Sequence, residues 1–267
     1  MKVASIVDAS PPRMKKGFTV RMAVEEMRKE RKDYLLLENG RPSIITAREI
    51  MVKLGSRRLG KVHPSDLKLS GFVPDFQLEF DEDAEVCDAV NELLSKKLNH
   101  ALVALSGGSR GILSWRGLLA ICVDMRNKMI RGHIEENYPL LSADDRIVEA
   151  RDLMMREGLS ALPVVDGNKL IGLLNEEHIV RGLIYLKLHS PSESFDARLR
   201  NLLVGDVMER YPPRAGENFS ISQVAQLMID SGSKAIPIVN ALMEVRGVVR
   251  HEGLMALIPG FVGGSSS

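Results

Sequence analysis

The sequence predicts an α+β fold built from four βαββα repeats that dock in pairs, and three observations carry that prediction. First, Ser142 to Val180 shows the two hydrophobic periods of a small α/β unit back to back: Ile147, Ala150, Leu153 and Met154 recur at helical spacing, and two short apolar strands follow. Second, the stretch recurs in register. Ala161-Leu162-Pro163-Val164-Val165-Asp166 matches Ala235-Ile236-Pro237-Ile238-Val239-Asn240, and Leu170-Ile171-Gly172-Leu173-Leu174 matches Val245-Arg246-Gly247-Val248-Val249. Third, Pro11-Pro12-Arg13, Phe18-Thr19-Val20 and Met27 align without a gap on Pro212-Pro213-Arg214, Phe219-Ser220-Ile221 and Met228. One such unit cannot bury both faces of a three-stranded sheet, so the units must dock.

The elements follow in order. In the first copy, Thr19 stands where a hydroxyl caps a helix start, Leu35-Leu36-Leu37 is the strand, and a closing helix begins at Thr46-Ala47-Arg48-Glu49. In the second, Val86, Ala89, Leu93 and Leu94 make the helical stripe, and Ala101–Leu105 and Gly111-Ile112-Leu113 are strands around the turn Ser106-Gly107-Gly108-Ser109. Trp115 to Cys122 closes that copy, with Trp115 read as a core or inter-repeat contact, the alternative being a ring that stacks on a planar ligand. The third copy opens its helix at Arg146-Ile147 and a closing helix near Asn175; Leu188 to Ser194 reads as a surface loop. The fourth opens at Ser220-Ile221 and closes from Arg250-His251-Glu252-Gly253. The expected division is a first pair over 1–126, with repeats at about 3–56 and 62–126, and a second over 127–267, with repeats at about 133–188 and 202–260. The polar segment Asn127 to Asn137 separates them, and 262–267 is expected to be a disordered tail.

A chain of 267 residues buries a core without staples, and its 36 Lys+Arg against 35 Asp+Glu leave a net charge of +1. That balance argues against binding nucleic acid or an anionic membrane through bulk charge. Cys87 and Cys122 lie far apart in apolar segments and read as free buried thiols, which points to a reducing, cytoplasmic compartment. There is no run of 18 apolar residues, and Asp8 and Pro11-Pro12 interrupt the N-terminus in a way that does not read as a signal peptide. His63, His100, His133, His178, His189 and His251 are scattered without metal-ligand spacing, and no phosphate-loop or nucleophile-elbow motif occurs. The chain therefore reads as a non-enzyme.

The pattern resembles the CBS domain, named for cystathionine β-synthase. Leu162-Pro163-Val164-Val165-Asp166 with Leu170-Ile171-Gly172-Leu173-Leu174 carries the resemblance best; the fourth copy is close, and Val204-Gly205-Asp206-Val207-Met208 looks like the family's lead-in segment. The resemblance implies repeats paired through their sheets into two modules, and modules associated into a pseudo-symmetric disc. It also implies adenosine-containing ligands between paired repeats, with AMP, ADP, ATP and S-adenosylmethionine as candidates. In the family element a strand runs into Ser/Thr-x-x-Asp at a helix start: hydroxyl and helix N–H groups meet phosphate, and the Asp accepts the ribose hydroxyls.

Each copy departs from that element. Thr46-Ala47-Arg48-Glu49 keeps the hydroxyl and a longer carboxylate, and this is the cleft the sequence favours. Ser114-Trp115-Arg116-Gly117 keeps only the hydroxyl, Asn175-Glu176-Glu177-His178 keeps neither, and Arg250-His251-Glu252-Gly253 ends in glycine. Lys234 and His100 precede their strands where the family places phosphate contacts; Arg13, Arg48, Arg116, Arg214 and Arg250 are further basic candidates, and Asn175 and His178 complete the set. The reading is a non-catalytic regulatory module that senses an adenine nucleotide, modulates a partner protein and forms a homodimer. The alternative is an interaction scaffold with degenerate nucleotide sites.

Overall fold

The computed structural model describes residues 1–38, 40–54, 66–191 and 194–263. Repeat 1 runs β1 (Arg13–Lys15), α1 (Val20–Lys29), β2 (Tyr34–Glu38), β3 (Ser43–Thr46) and α2 (Ala47–Leu54). Repeat 2 runs β4 (Glu79–Asp81), α3 (Val86–Lys96), β5 (His100–Ala104), β6 (Arg110–Ser114) and α4 (Trp115–Cys122). Repeat 3 runs β7 (Leu141–Ser142), α5 (Ile147–Glu157), β8 (Ala161–Asp166), β9 (Lys169–Asn175) and α6 (Glu176–His189), and is followed by α7 (Phe195–Asn201) and α8 (Val204–Val207). Repeat 4 has α9 (Ile221–Ser231), β10 (Ala235–Val239), β11 (Val245–Arg250), α10 (His251–Met255) and α11 (Ile258–Gly263). In the first three repeats the first strand pairs parallel to the second, and the third pairs antiparallel to it.

Three expectations need correction. Repeat 4 has a two-stranded sheet, with only a single parallel bridge between Ala215 and Ile238 where the first strand was expected. Gly216 occupies the place of Lys15 in the Pro-Pro-Arg alignment, and an unbranched, flexible residue there weakens a strand already short of donors after Pro212-Pro213. The expected loop from Leu188 is also shorter, because α6 continues through His189; Ser192 and Glu193 lie outside the described residues. Finally, α11 includes Val262 and Gly263 of the expected tail, while 264–267 lie outside the described residues, as do His63 and the repeat limits at 56 and 62.

Four equivalent hydrogen bonds tie the repeats into pairs. The first residue of each opening helix has no carbonyl to bond within its own helix. Val20 donates to Leu67 O (2.9 Å), Val86 to Met1 O (3.0 Å), Ile147 to Leu202 O (2.9 Å) and Ile221 to Lys128 O (2.8 Å). Each acceptor lies on the segment leading into the other member of the pair, so repeats 1 and 2 exchange lead-in segments, and repeats 3 and 4 do the same. Hydroxyls finish two of these starts: Thr19 accepts from Met22 N–H, and Ser220 forms a reciprocal box with Gln223.

The lead-in segments also bridge the third strands, at Asp8 with Ile112, Glu209 with Leu173, and Glu135 with Val248. Beside each bridge stands a glycine, Gly111, Gly172 or Gly247, whose missing side chain lets the backbones approach. A methyl group at Gly247 would lie 2.7 Å from Glu135 O and 2.6 Å from Ile134, in a backbone with φ of +153°. Gly247→Ala is therefore expected to cost about 1–3 kcal/mol in urea denaturation; an unchanged midpoint would show that the bridge is not tight.

Apolar burial follows the same plan. Tyr34, Leu36, Ile44, Leu102 and Ile112 form a small cluster between the sheets of repeats 1 and 2, and the hairpin tips of repeats 3 and 4 join where Leu170 donates to Met243 O. Two larger clusters cross between pairs. One unites α1, α2, α5 and α6 of repeats 1 and 3; the other unites α3, α4, α9 and α10 of repeats 2 and 4, around Trp115. Pairs thus form through sheets and lead-in segments, and the two pairs meet through helices. Cys122 is buried, Cys87 half-buried, and both are free thiols.

Candidate functional site

A second set of equivalent bonds sets the centre of the molecule. The first N–H of each closing helix returns to the residue just before or at the start of its repeat's second strand: Ala47 to Asp33 O, Trp115 to Asn99 O, Glu176 to Ser160 O and His251 to Lys234 O. These turns bring side chains from all four repeats into one hub. Lys234 Nζ lies 2.8 Å from Asp33 Oδ2 and 3.0 Å from Glu176 Oε2. Arg48 donates to Glu176 Oε1 at 2.7 Å and to Leu159 O at 3.3 Å. The Trp115 indole N–H reaches Asp33 at 3.2 Å, and His251 Nε2 lies 2.8 Å from Asn99 Oδ1.

Burial alone would raise the pKa of Asp33, but Lys234 and His100 beside it hold it well below the usual carboxylate range. Burial would likewise lower Lys234, and the two carboxylates instead push it above its ordinary value. Lys234 is 7% exposed. An ion pair so dry is kept charged only by close, well-aimed partners.

The four closing-helix starts stand around this hub, and their surroundings differ sharply. At Thr46, the Glu49 carboxylate folds back to accept from the Thr46 N–H (3.0 Å) and hydroxyl, and burial raises its pKa. Repeat 1 has Ser43 where the other repeats have the bridging glycine, and here the Gln77 amide replaces a backbone bridge, accepting from Ile44 N–H (3.1 Å) and donating to Pro42 O (2.7 Å). The remaining cavity is about 50 Å³, lined in part by Thr46, Glu49, Gln77, His100 and Lys234. Arg48 turns away from this element into the hub.

At Ser114 the hydroxyl caps Gly117 N–H at 3.3 Å. A side chain at Gly117 would meet Ile6 O at 2.5 Å, so the lead-in segment closes the place where the family element has its Asp. Beside it lies a cleft of about 380 Å³ lined by Ile6, Asp8, Arg31, Lys32, Tyr34 and Arg116 among others. Asp8 accepts from Tyr34 Oη at 2.8 Å and from Lys32. Arg116 donates to Arg31 O at 2.8 Å and lies over the Trp115 ring, and its Nε is buried without a hydrogen-bond partner.

Asn175 and His178 cap each other at the start of α6: His178 N–H donates to Asn175 Oδ1 (2.9 Å) and Asn175 N–H to His178 Nδ1 (3.3 Å). Burial, with Arg181 nearby, lowers the pKa of His178 to about 4. His178 borders an 850 Å³ groove between α1 and α6. Arg250 pairs with Glu135 at 2.7 Å. Glu252 would be raised by burial, but His251 and Arg250 bring its pKa to about 2. Arg13 is exposed, bound to Glu38 and to Arg110 O (both 2.9 Å), and Arg214 is exposed beside Ala215. The hub thus gathers Arg48, His100 and Lys234, while Arg13, Arg214, Arg250, His178 and Asn175 lie apart. Sequence reasoning missed Asp33, Glu176 and Asn99, although Asp33 aligns with Lys234 once the repeats are registered.

Among the described residues no group of His, Cys, Asp or Glu could hold a metal ion, and no helix is long and apolar enough to cross a membrane. A family model described as the CBS domain matches residues 130–185 and 204–260. Protein MJ1225 of Methanocaldococcus jannaschii is 19% identical over 178 residues, 65% of this chain and 64% of that protein. Its crystal structure, proposed as an archaeal homolog of g-AMPK, superposes with a TM-score of 0.79 at 17% identity, covering 96% of this chain and 99% of that one. An uncharacterised conserved protein from Pyrococcus horikoshii gives a TM-score of 0.61 at 18% identity over 97% of this chain and all of its own. The inosine-5'-monophosphate dehydrogenase of Korarchaeum cryptofilum is 24% identical over 191 residues, 71% of this chain but 36% of the enzyme. The chain thus spans less than two thirds of either relative found by sequence. The CBS domain model matches the third and fourth repeats of this chain, and the first and second repeats share their fold.

Proposed function

We propose that the chain is a non-catalytic regulatory module that binds an adenine nucleotide at the Ser114–Arg116 cleft and passes that state to a partner protein. The observation that carries this reading is the cleft itself, about 380 Å³ at an inter-repeat seam, with Arg31, Lys32 and Arg116 on its wall against Asp8 and Glu30, Lys32 being paired with Asp8. The unpartnered Arg116 Nε supports it, because a buried donor without an acceptor is costly and a phosphate oxygen would satisfy it. Gly117 removes the ribose anchor, so the recognition is weighted toward phosphate. Binding would favour one arrangement of repeats 1 and 2 through the Ile6–Asp8 lead-in, and only a ligand with different affinities for two arrangements can do that. The boundary near residue 126, cytoplasmic residence and a homodimer belong to the same proposal, and sedimentation equilibrium measures the last.

The test is calorimetry with AMP, ADP, ATP and S-adenosylmethionine. A phosphate-bearing nucleotide is expected to bind, and Arg116→Ala to weaken it at least about tenfold, the worth of one charge-assisted hydrogen bond. Absence of heat with every ligand at millimolar concentration would overturn the reading. It would leave the scaffold alternative, which the self-capped Glu49 and the closed position at Gly117 favour.

A further inference from the structure

The hub has the make-up of an anion site. Donors from three repeats, Arg48, Lys234 and the Trp115 indole N–H, converge on the oxygens of two carboxylates, Asp33 and Glu176. Neither carboxylate is required for a repeat to fold. The position of Asp33 is Ser160 in repeat 3 and Lys234 in repeat 4, and that of Glu176 is Ala47, Trp115 or His251, yet all four repeats make the same backbone bond there. The acids therefore serve the hub and not their own repeats.

The charges close one for one, Asp33 and Glu176 against Arg48 and Lys234, so an incoming anion finds no surplus. Two small cavities flank Lys234, of about 50 and 20 Å³. Two polar atoms there are buried without a hydrogen-bond partner: Ser160 Oγ in a residue 6% exposed, and His100 Nε2 in a residue 7% exposed. His100 Nε2 stands 3.4 Å from Asp33 Oδ1, a long contact, and has no other acceptor. Unused groups at this depth mark a site that can bond more than it does.

We infer that the hub is an anion-binding site whose anions are part of the chain, and that Asp33 is the residue that excludes free phosphate from it. Asp33 thereby sets ligand class. A phosphate that reached Lys234 and His100 would meet a hub already neutralised by Asp33 and Glu176. This inference does not rest on the Ser114–Arg116 cleft, and its test uses no nucleotide.

Asp33→Ala leaves Lys234, His100 and Trp115 facing a vacated carboxylate position. Thermal melts with inorganic phosphate, balanced by chloride to constant ionic strength, are expected to show a saturable rise of about 3–6 °C in the variant when phosphate is at ten times its Kd. All proteins compared carry Arg116→Ala, so that phosphate at the Ser114–Arg116 cleft makes no contribution; the one that keeps Asp33 is expected to show no saturable rise, and Lys234→Met added to the Asp33 variant is expected to abolish it. Equal responses with Asp33 kept and replaced, or a response that survives Lys234→Met, would overturn the inference. If Asp33→Ala does not fold, Asp33→Ser, which copies Ser160 of repeat 3, is judged by the same criterion. Failure of both to fold even with phosphate present also overturns it, since a true anion site accepts a replacement anion.

Discussion

Lys234→Met is expected to lower folding stability by about 3–5 kcal/mol, the largest effect of any single substitution outside the apolar core. The physical reason is what remains after the change. Asp33 and Glu176 stay buried, with Lys234's 2.8 and 3.0 Å contacts gone, and Arg48 compensates only Glu176. Met matches the length of the lysine stem, so packing changes little and the loss reports the stranded charge. The same argument predicts recovery. Adding Asp33→Asn and Glu176→Gln to Lys234→Met removes the uncompensated charges, and the triple variant is expected to be more stable than the single one. Urea unfolding followed by circular dichroism measures both. A single-variant loss within about 0.5 kcal/mol, the range of ordinary surface changes, would mean that the hub is wet and its pairs weak. Because the hub draws on all four repeats, the loss is expected to appear in the main unfolding transition and not as a separate early one.

Much of this architecture is legible in the chain because it is local. Helix periods, the Thr19 and Ser220 caps, and the Pro-bearing strands at Pro163 and Pro237 are set by residues within a few positions of each other. The resemblance supplied the pairing. What stayed hidden is long-range. Arg48 and Glu176 are 128 residues apart, and Lys234 and Glu176 are 58 apart, so no spacing rule links them. The place of Lys234 and His100 at the head of a strand, where the resemblance implies phosphate contacts, does put them at the hub; their neighbours there are the chain's own carboxylates. The closure of the Thr46–Glu49 cleft was equally hidden. It depends on Gln77, whose amide substitutes for the backbone bridge that a glycine allows in the other repeats. Gly117 looked like a lost ribose anchor, but its backbone neighbour Ile6 O supplies a steric cause that only the exchanged lead-in segment makes visible. The missing first strand of repeat 4 was, by contrast, available in advance from Gly216.

Acidification from pH 6.5 to 2 is expected to destabilise the chain in two assignable steps. His178 is buried as the neutral imidazole, with its pKa brought from 6.5 to about 4 by burial and by Arg181. Below pH 6.5 the unfolded chain takes a proton there that the folded chain refuses, so stability falls as pH drops toward 4, by up to about 3 kcal/mol. Glu252 contributes the next step. Burial opposes its ionisation, but His251 at 2.9 Å and Arg250 lower its pKa from 4.5 to about 2. Its stabilisation is complete above pH 4.5 and is lost between there and pH 2, again by up to about 3 kcal/mol. Asp33, held low by Lys234 and His100, adds to the second step with the same sign. The two steps separate by substitution. His178→Gln keeps an acceptor for Asn175 N–H, as Gln223 does for Ser220 in repeat 4, and is expected to flatten the profile between pH 6.5 and 4 while leaving the lower limb intact. Glu252→Gln is expected to do the reverse. Urea midpoints measured across this range decide the matter. A wild-type profile flat from pH 6.5 to 4, or one that His178→Gln leaves unchanged, would mean that the imidazole already exchanges its proton with solvent in the folded chain.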